Sequence, residues 1–221
     1  MPEVPSTSAP VPTDLQSFAA AVAHEIRTPL SAAAGEIEIA LRRQRSMHEY
    51  RDALQRIGFA IAELIDISAD LTLLSEPLEA IAGTSRSGGL NAILSSISDR
   101  YAGRDDVYVA VESASGARVG GSERYLTRAL TLLVEHALRH RRGGARVSLR
   151  VVAVTATRVR LAVDAQPPGI WPHAWTALHD AADRPAGPLR LRTARRIVEA
   201  SGGAVVPLAT DAVHIELQRT A

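Results

Sequence analysis

Apolar residues recur three or four apart through Leu15, Phe18, Val22, Ile26, Leu30, Ala33, Ile37 and Leu41, the spacing of one helix face. This predicts a helix from Thr13 or Asp14, either of which can cap it, to about Arg45. A polar break from Gln44 to His48 leads into a second pattern: Tyr50, Leu54, Ile57, Ile61, Leu64, Ile65, Ile67, Leu71 and Leu74, ending near Ser75-Glu76-Pro77. Two long helices with a short connection make an antiparallel hairpin. One hairpin has too little core to stand alone. Two are expected to pair as a four-helix bundle, so a homodimer is expected through this region. Pro29 falls inside the first helix. It withholds an N–H from the carbonyl of Glu25, and a bend is expected just after His24.

The rhythm changes after Gly83-Thr84-Ser85-Arg86-Ser87-Gly88-Gly89, which is expected to be a flexible linker. Leu90 to Tyr101 reads as a helix, Val107 to Val111 as a strand, and Ser122 to Arg139 as a strong helix. Gly143-Gly144 turns the chain into a strand over Val147 to Val152, with Val159 to Val163 as its hairpin partner. A helix over Leu189 to Ala200 closes at Gly202-Gly203, and Ala204 to Pro207 and Val213 to Leu217 read as short strands. That order predicts a sheet with helices on one face. The expected organisation is a disordered leader over 1–12, a helical hairpin over 13–82, a linker over 83–89 and an α/β sandwich over 90–221.

Composition narrows the chemistry. A hydrophobic content of 46% supports a core, and with only 4% aromatics that core must be Ala, Leu, Val and Ile. The net charge of +1 gives no support for a nucleic-acid partner or an anionic membrane surface. Every basic residue is Arg, which removes lysine chemistry, and the lack of Cys removes disulfides, thiolate metal sites and thiol nucleophiles. No apolar run reaches the roughly 18 residues needed to span a bilayer, and no basic-then-apolar leader opens the chain. A cytoplasmic protein is expected.

His24-Glu25-Ile26-Arg27-Thr28-Pro29-Leu30 lies within the first helix. His24 and Thr28 share a face, with Glu25 about 100° round. This run resembles the H-box of sensor histidine kinases, the motif around their phosphorylated histidine. The resemblance implies that the hairpin is a dimerisation and phosphotransfer unit and that 90–221 has the fold of the family's ATP-binding domain.

Three nucleotide boxes depart from the family pattern. Aligning Leu-Leu-x-Glu-x-Ala puts Leu132 and His136 where the resemblance implies two Asn, one of them a magnesium ligand; Glu135 keeps its place. The chain's only Asn is Asn91. The family's adenine-binding Asp falls on Ala165, with Asp164 one residue off and, by strand alternation, on the wrong face unless a bulge intervenes. In the glycine-rich box that caps the final helix over the phosphates, Pro188 lacks an N–H and Arg190 stands where a second Gly is usual. The stretch from Trp171 to Pro185, at the place of a nucleotide lid, has no Gly. Arg184, Arg190 and Arg192 read as a solvated face, as does the basic run from Arg139 to Arg142. Trp171 and Trp175, four apart, read as a packing pair. His136 and His140, also four apart, can meet one metal ion, but the spacing supplies no third ligand.

These departures imply loss of ATP binding with the H-box retained. The chain then resembles the dimeric histidine phosphotransferases of bacterial phosphorelays. That implies His24 as phosphoacceptor, Glu25 as the acceptor of a hydrogen bond from its imidazole, and Thr28 as the positioner of a water. Arg27 and Ser31 are expected to meet a response-regulator receiver, which brings its own magnesium, so no cofactor is expected here. Two alternatives stay open: a divergent but active kinase core, favoured by Glu135 and the intact H-box, and a response-regulator phosphatase, for which Glu25 and Thr28 suffice. A non-catalytic scaffold is a further possibility.

Overall fold

The computed structural model describes residues 13–82, 87–111, 116–140, 144–166, 189–208 and 212–220. Helix α1 (Thr13–Leu41) continues through the buried Pro29 and is followed by α2 (Met47–Ser75). The first helix stops four residues short of the expected Arg45. The cause is a capping box at Ser46: its hydroxyl accepts from Glu49 N at 3.2 Å, and Glu49 Oε2 accepts from Ser46 N at 2.8 Å. Ser-x-x-Glu was the signal for that start. Arg56 joins the two helices through both its Nε and Nη2 to the Glu36 carboxylate, at 2.8 and 2.9 Å.

The hairpin's interior is thin: Pro29, Ala33, Ala53, Ala60 and Ile67 are buried. Several of its larger apolar residues face outward. Leu30, Ile37 and Leu41 on α1, and Leu54, Ile61 and Ile65 on α2, are exposed, Leu41 to 80%. Each set has the spacing i, i+7, i+11, a continuous stripe along one side of its helix.

A short helix α3 (Leu78–Ala82) leads into the second unit. Strand β1 (Ser87–Gly89) pairs antiparallel with β3 (Arg118–Gly120), correcting the expectation that 83–89 is all flexible linker. The glycines there serve close approach: a Cβ at Gly88 would lie 2.8 Å from Glu123 Cγ, and Gly89 N donates to Glu123 Oε1 at 2.7 Å. The unit continues with α4 (Leu90–Arg100), β2 (Val107–Val109), α5 (Glu123–His140), β4 (Arg146–Val154), β5 (Arg158–Gln166), α6 (Leu189–Ala200), β6 (Ala204–Pro207) and β7 (Ala212–Thr220). The described strands form a seven-stranded sheet in the order β1-β3-β7-β5-β4-β2, with β6 also on β7 and β2 parallel to β4. Val147, Leu149, Val159, Leu161, Val163, Val213, Ile215 and Leu217 line one sheet face. They pack with Leu90, Ile93, Leu126, Leu130, Leu133, Ile197 and Val198 of the helices into one core. Helices therefore lie on one face of the sheet, as the element order predicts.

The expectations for the leader, the lid from Trp171 to Pro185, the Trp171–Trp175 pair, Arg184 and the glycine box up to Pro188 lie outside the described residues. So do the capping side chains of Thr13 and Asp14.

Candidate phosphotransfer site

His24 lies on the open surface of α1, with Arg27, Thr28 and Ser31 also exposed and Glu25 half-buried. Helical geometry brings His24 and Thr28 together: the Thr28 hydroxyl donates to the His24 carbonyl at 3.2 Å, a bond the helix tolerates one turn back. Among the described residues no side-chain hydrogen bond or ion pair links Arg27 or Ser31 to them. Glu25 turns towards the α/β unit. Its Oε1 accepts from the backbone N–H of Leu189, the first residue of α6, at 2.6 Å. An N-terminal helical N–H has no partner inside its own helix, and a carboxylate suits both that N–H and the helix dipole. The next turn of α6 adds a second contact to α1, with the Arg192 guanidinium 4.6 Å above the Phe18 ring.

Further contacts seat the α/β unit along α2. Asp70, fully buried, accepts from Arg128 at 2.7 and 3.1 Å through Oδ1. Burial is the main cause that pushes its carboxyl up, with Arg128 opposing. The Tyr125 hydroxyl donates to Glu76 Oε2 at 2.8 Å, Arg196 donates to the Glu76 carbonyl at 2.7 Å, and Arg139 pairs with Glu63. A cavity of about 600 Å³ lies at this seam, lined in part by Phe59, Glu63, Arg100, Tyr101, Glu135 and Arg190. Burial there pushes the Tyr101 phenol up to about 12.

At the expected nucleotide end, Leu132 is a core residue and His136 is buried, its ring 4.3 Å from that of His140 and tilted by 42°. Among the described residues no group of three His, Asp or Glu is arranged to hold a metal ion. Glu135 is held from both sides: Arg100 donates to Oε1 at 3.1 Å and Arg190 to Oε2 at 2.5 Å. Arg190 also lies 3.7 Å from Glu63 of α2. It does not belong to a solvated face, since its side chain is only 5% exposed. The helical spacing of Arg190, Thr193, Ala194 and Ile197 shows why: all four lie on the buried face of α6. That periodicity was legible, but its acidic partners on two other helices were not.

Asp164 sits on the sheet face away from the helices. There it accepts from Arg150 at 2.7 and 3.0 Å and from the Ser148 hydroxyl. The sheet's irregularity falls between Val151 and Ala153, so no bulge turns Asp164 round.

Residues 14–85 match the family model for the His kinase A (phospho-acceptor) domain. Across 154 residues, 67% of this chain, the protein is 30% identical to the adaptive-response sensory kinase SasA of a Synechococcus species, strain CC9311, and it spans 39% of that relative's length. The fold is similar to that of the Acinetobacter baumannii histidine kinase AdeS (TM-score 0.58, 16% identity, 89% of this chain and 97% of that one). It is also similar to histidine kinase ThkA, solved with response regulator protein TrrA (TM-score 0.60, 18% identity, 93% and 62%). The chain is histidine-kinase-like in build: its hairpin matches the phospho-acceptor domain model, and the α/β unit that follows has the fold of histidine kinase catalytic domains. Among the described residues no helix is long and apolar enough to cross a membrane.

Proposed function

We propose that this protein is a homodimeric histidine phosphotransferase that moves phosphoryl groups between response-regulator receivers through His24, without binding ATP. The observation that carries this reading is the closure of Glu135 by Arg100 and Arg190. The carboxylate that the resemblance sets to act on the attacking histidine or water is already engaged by two guanidiniums. The neighbouring Leu132 offers no metal ligand, and Asp164 is turned to the far face.

His24 is open to an incoming partner, as transfer between two macromolecules requires. A neutral imidazole nitrogen attacks the phosphorus of the receiver's acyl phosphate. The N–P bond forms as the P–O bond to the receiver's aspartate breaks, and the carboxylate leaves. Glu25 accepts the hydrogen bond that orients the ring and balances its growing positive charge. The magnesium at this reaction belongs to the receiver. Arg27 and Ser31, exposed beside His24, face the partner's acidic site; Thr28 positions a water when the receiver is dephosphorylated. The outward stripes of α1 and α2 form the dimer bundle.

A divergent kinase core is the second reading. It is favoured by Glu135 standing at its family position and by similarity to a sensory kinase. Mixing the protein with a phosphorylated receiver tests the first reading. Acid-labile, alkali-stable label on the protein supports it. Loss of the receiver's phosphate to solvent with no protein-bound label at any time contradicts it and marks a phosphatase.

A further inference from the structure

In a phosphotransferase that does not use ATP, the α/β domain needs a task other than nucleotide binding. The N-terminus of α6 supplies one. Its first N–H is spent on Glu25, the residue next to the phosphoacceptor. Three arginines on this one helix hold it against the hairpin: Arg190 towards Glu63, Arg192 over Phe18, and Arg196 on the Glu76 carbonyl. Two of these contacts, at Arg190 and Arg192, lie within one turn after Leu189 and reach both hairpin helices. The first turn of α6 has no acidic residue of its own to satisfy its N–H groups. Pro188, next to it in sequence, carries no N–H.

We propose that the α/β domain acts as a positioning module for the phosphotransfer site. Arg190 seats α6 between α2 and α5 so that the Leu189 N–H fixes one Glu25 oxygen and leaves the other for the His24 imidazole. Arg190 is a positioning residue; it touches neither His24 nor the phosphoryl group. The proposal rests on His24 being the phosphoacceptor. It explains how an arginine at a glycine-box position serves transfer: the helix end that the resemblance turns to nucleotide phosphates is turned instead to the H-box acid.

The test is a double-mutant cycle on the rate of phosphoryl transfer from a phosphorylated receiver to the full-length protein. Arg190→Ala should slow transfer by at least about tenfold, since small misplacements of a reacting group are costly. In a Glu25→Gln background Arg190→Ala should add nothing, because the two act through one contact. Glu63→Gln, a volume-conserving change at a half-exposed residue, should show the same pattern and guards against an Arg190 variant that fails to fold. Equal slowing in both backgrounds, or an unchanged rate with Arg190→Ala, overturns the proposal while leaving the phosphotransferase reading intact. No label on wild-type protein overturns that reading and the proposal together.

Discussion

Arg190 Nη1 donates to Glu135 Oε2 at 2.5 Å, with the arginine buried on α6 and the carboxylate on α5. Opening it strips the buried Arg190 guanidinium of its shortest contact and leaves Glu135 with Arg100 alone, so the pair is costly to open. A nucleotide using Glu135 would have to break it. Magnesium-ATP at millimolar concentration is therefore expected to leave the melting temperature unchanged. Ligand at a hundred times its Kd adds about 2.7 kcal/mol, a shift of several degrees that differential scanning fluorimetry would register at once.

Chemistry at the H-box separates by residue. His24→Ala should abolish protein-bound phosphate. Glu25→Gln should retain labelling but slow it by about 10²-fold or more, the usual scale for a positioned acid–base group. Thr28→Ala should leave transfer to His24 nearly intact and slow the loss of phosphate to water. Time courses of label on protein and receiver distinguish the three. Comparable transfer by Glu25→Gln and wild type would remove Glu25 from the mechanism.

The exposed stripes at Leu30, Ile37, Leu41 and Leu54, Ile61, Ile65 predict the dimer. Burying a Leu or Ile side chain is worth about 1.5–3 kcal/mol, and a bundle buries several from each chain. Leu54→Glu combined with Ile61→Glu should give monomers in analytical ultracentrifugation. A dimer that survives both changes would move the interface elsewhere.

Asp70 gives stability a pH signature. Its Oδ2 has no hydrogen-bond partner among the described residues, and burial holds its carboxyl above the ordinary value despite Arg128. The folded protein therefore keeps this proton more tightly than the unfolded chain does. The contribution is complete below the ordinary carboxylate value and is lost as pH rises through the raised one. Asp70→Asn cannot lose a proton. Relative to that variant, wild type should lose stability as pH increases across the carboxylate range. Urea midpoints at a series of pH values test this, and parallel curves for the two proteins would contradict it.

Most of the fold could be read from spacing, because long helices and the central strands carry periodicity over many residues. Helix α6 (Leu189–Ala200) and strand β6 (Ala204–Pro207) fall on the expected residues. The three-residue strands β1 and β3 were missed, since three residues cannot display an alternation and β1 carries two glycines. The glycines at 88 and 89 suggested a loop, although at Gly88 the demand comes from Glu123 pressing against the backbone. His24 and its neighbours could be found because their spacing along one helix is the motif. The Glu25–Leu189 and Glu135–Arg190 contacts could not, as each joins residues more than fifty positions apart, the first through the packing of the hairpin on the α/β unit and the second through the packing of α5 against α6. The outward turn of Asp164 was legible, because alternation along a strand depends on local geometry alone.

The most direct measurement runs two labelling reactions on the same purified protein, one with a phosphorylated receiver and one with magnesium and labelled ATP, each repeated with His24→Ala. Label is expected from the receiver, none from ATP, and none in either reaction for His24→Ala. Label from ATP that depends on His24 would contradict it and make this protein a kinase.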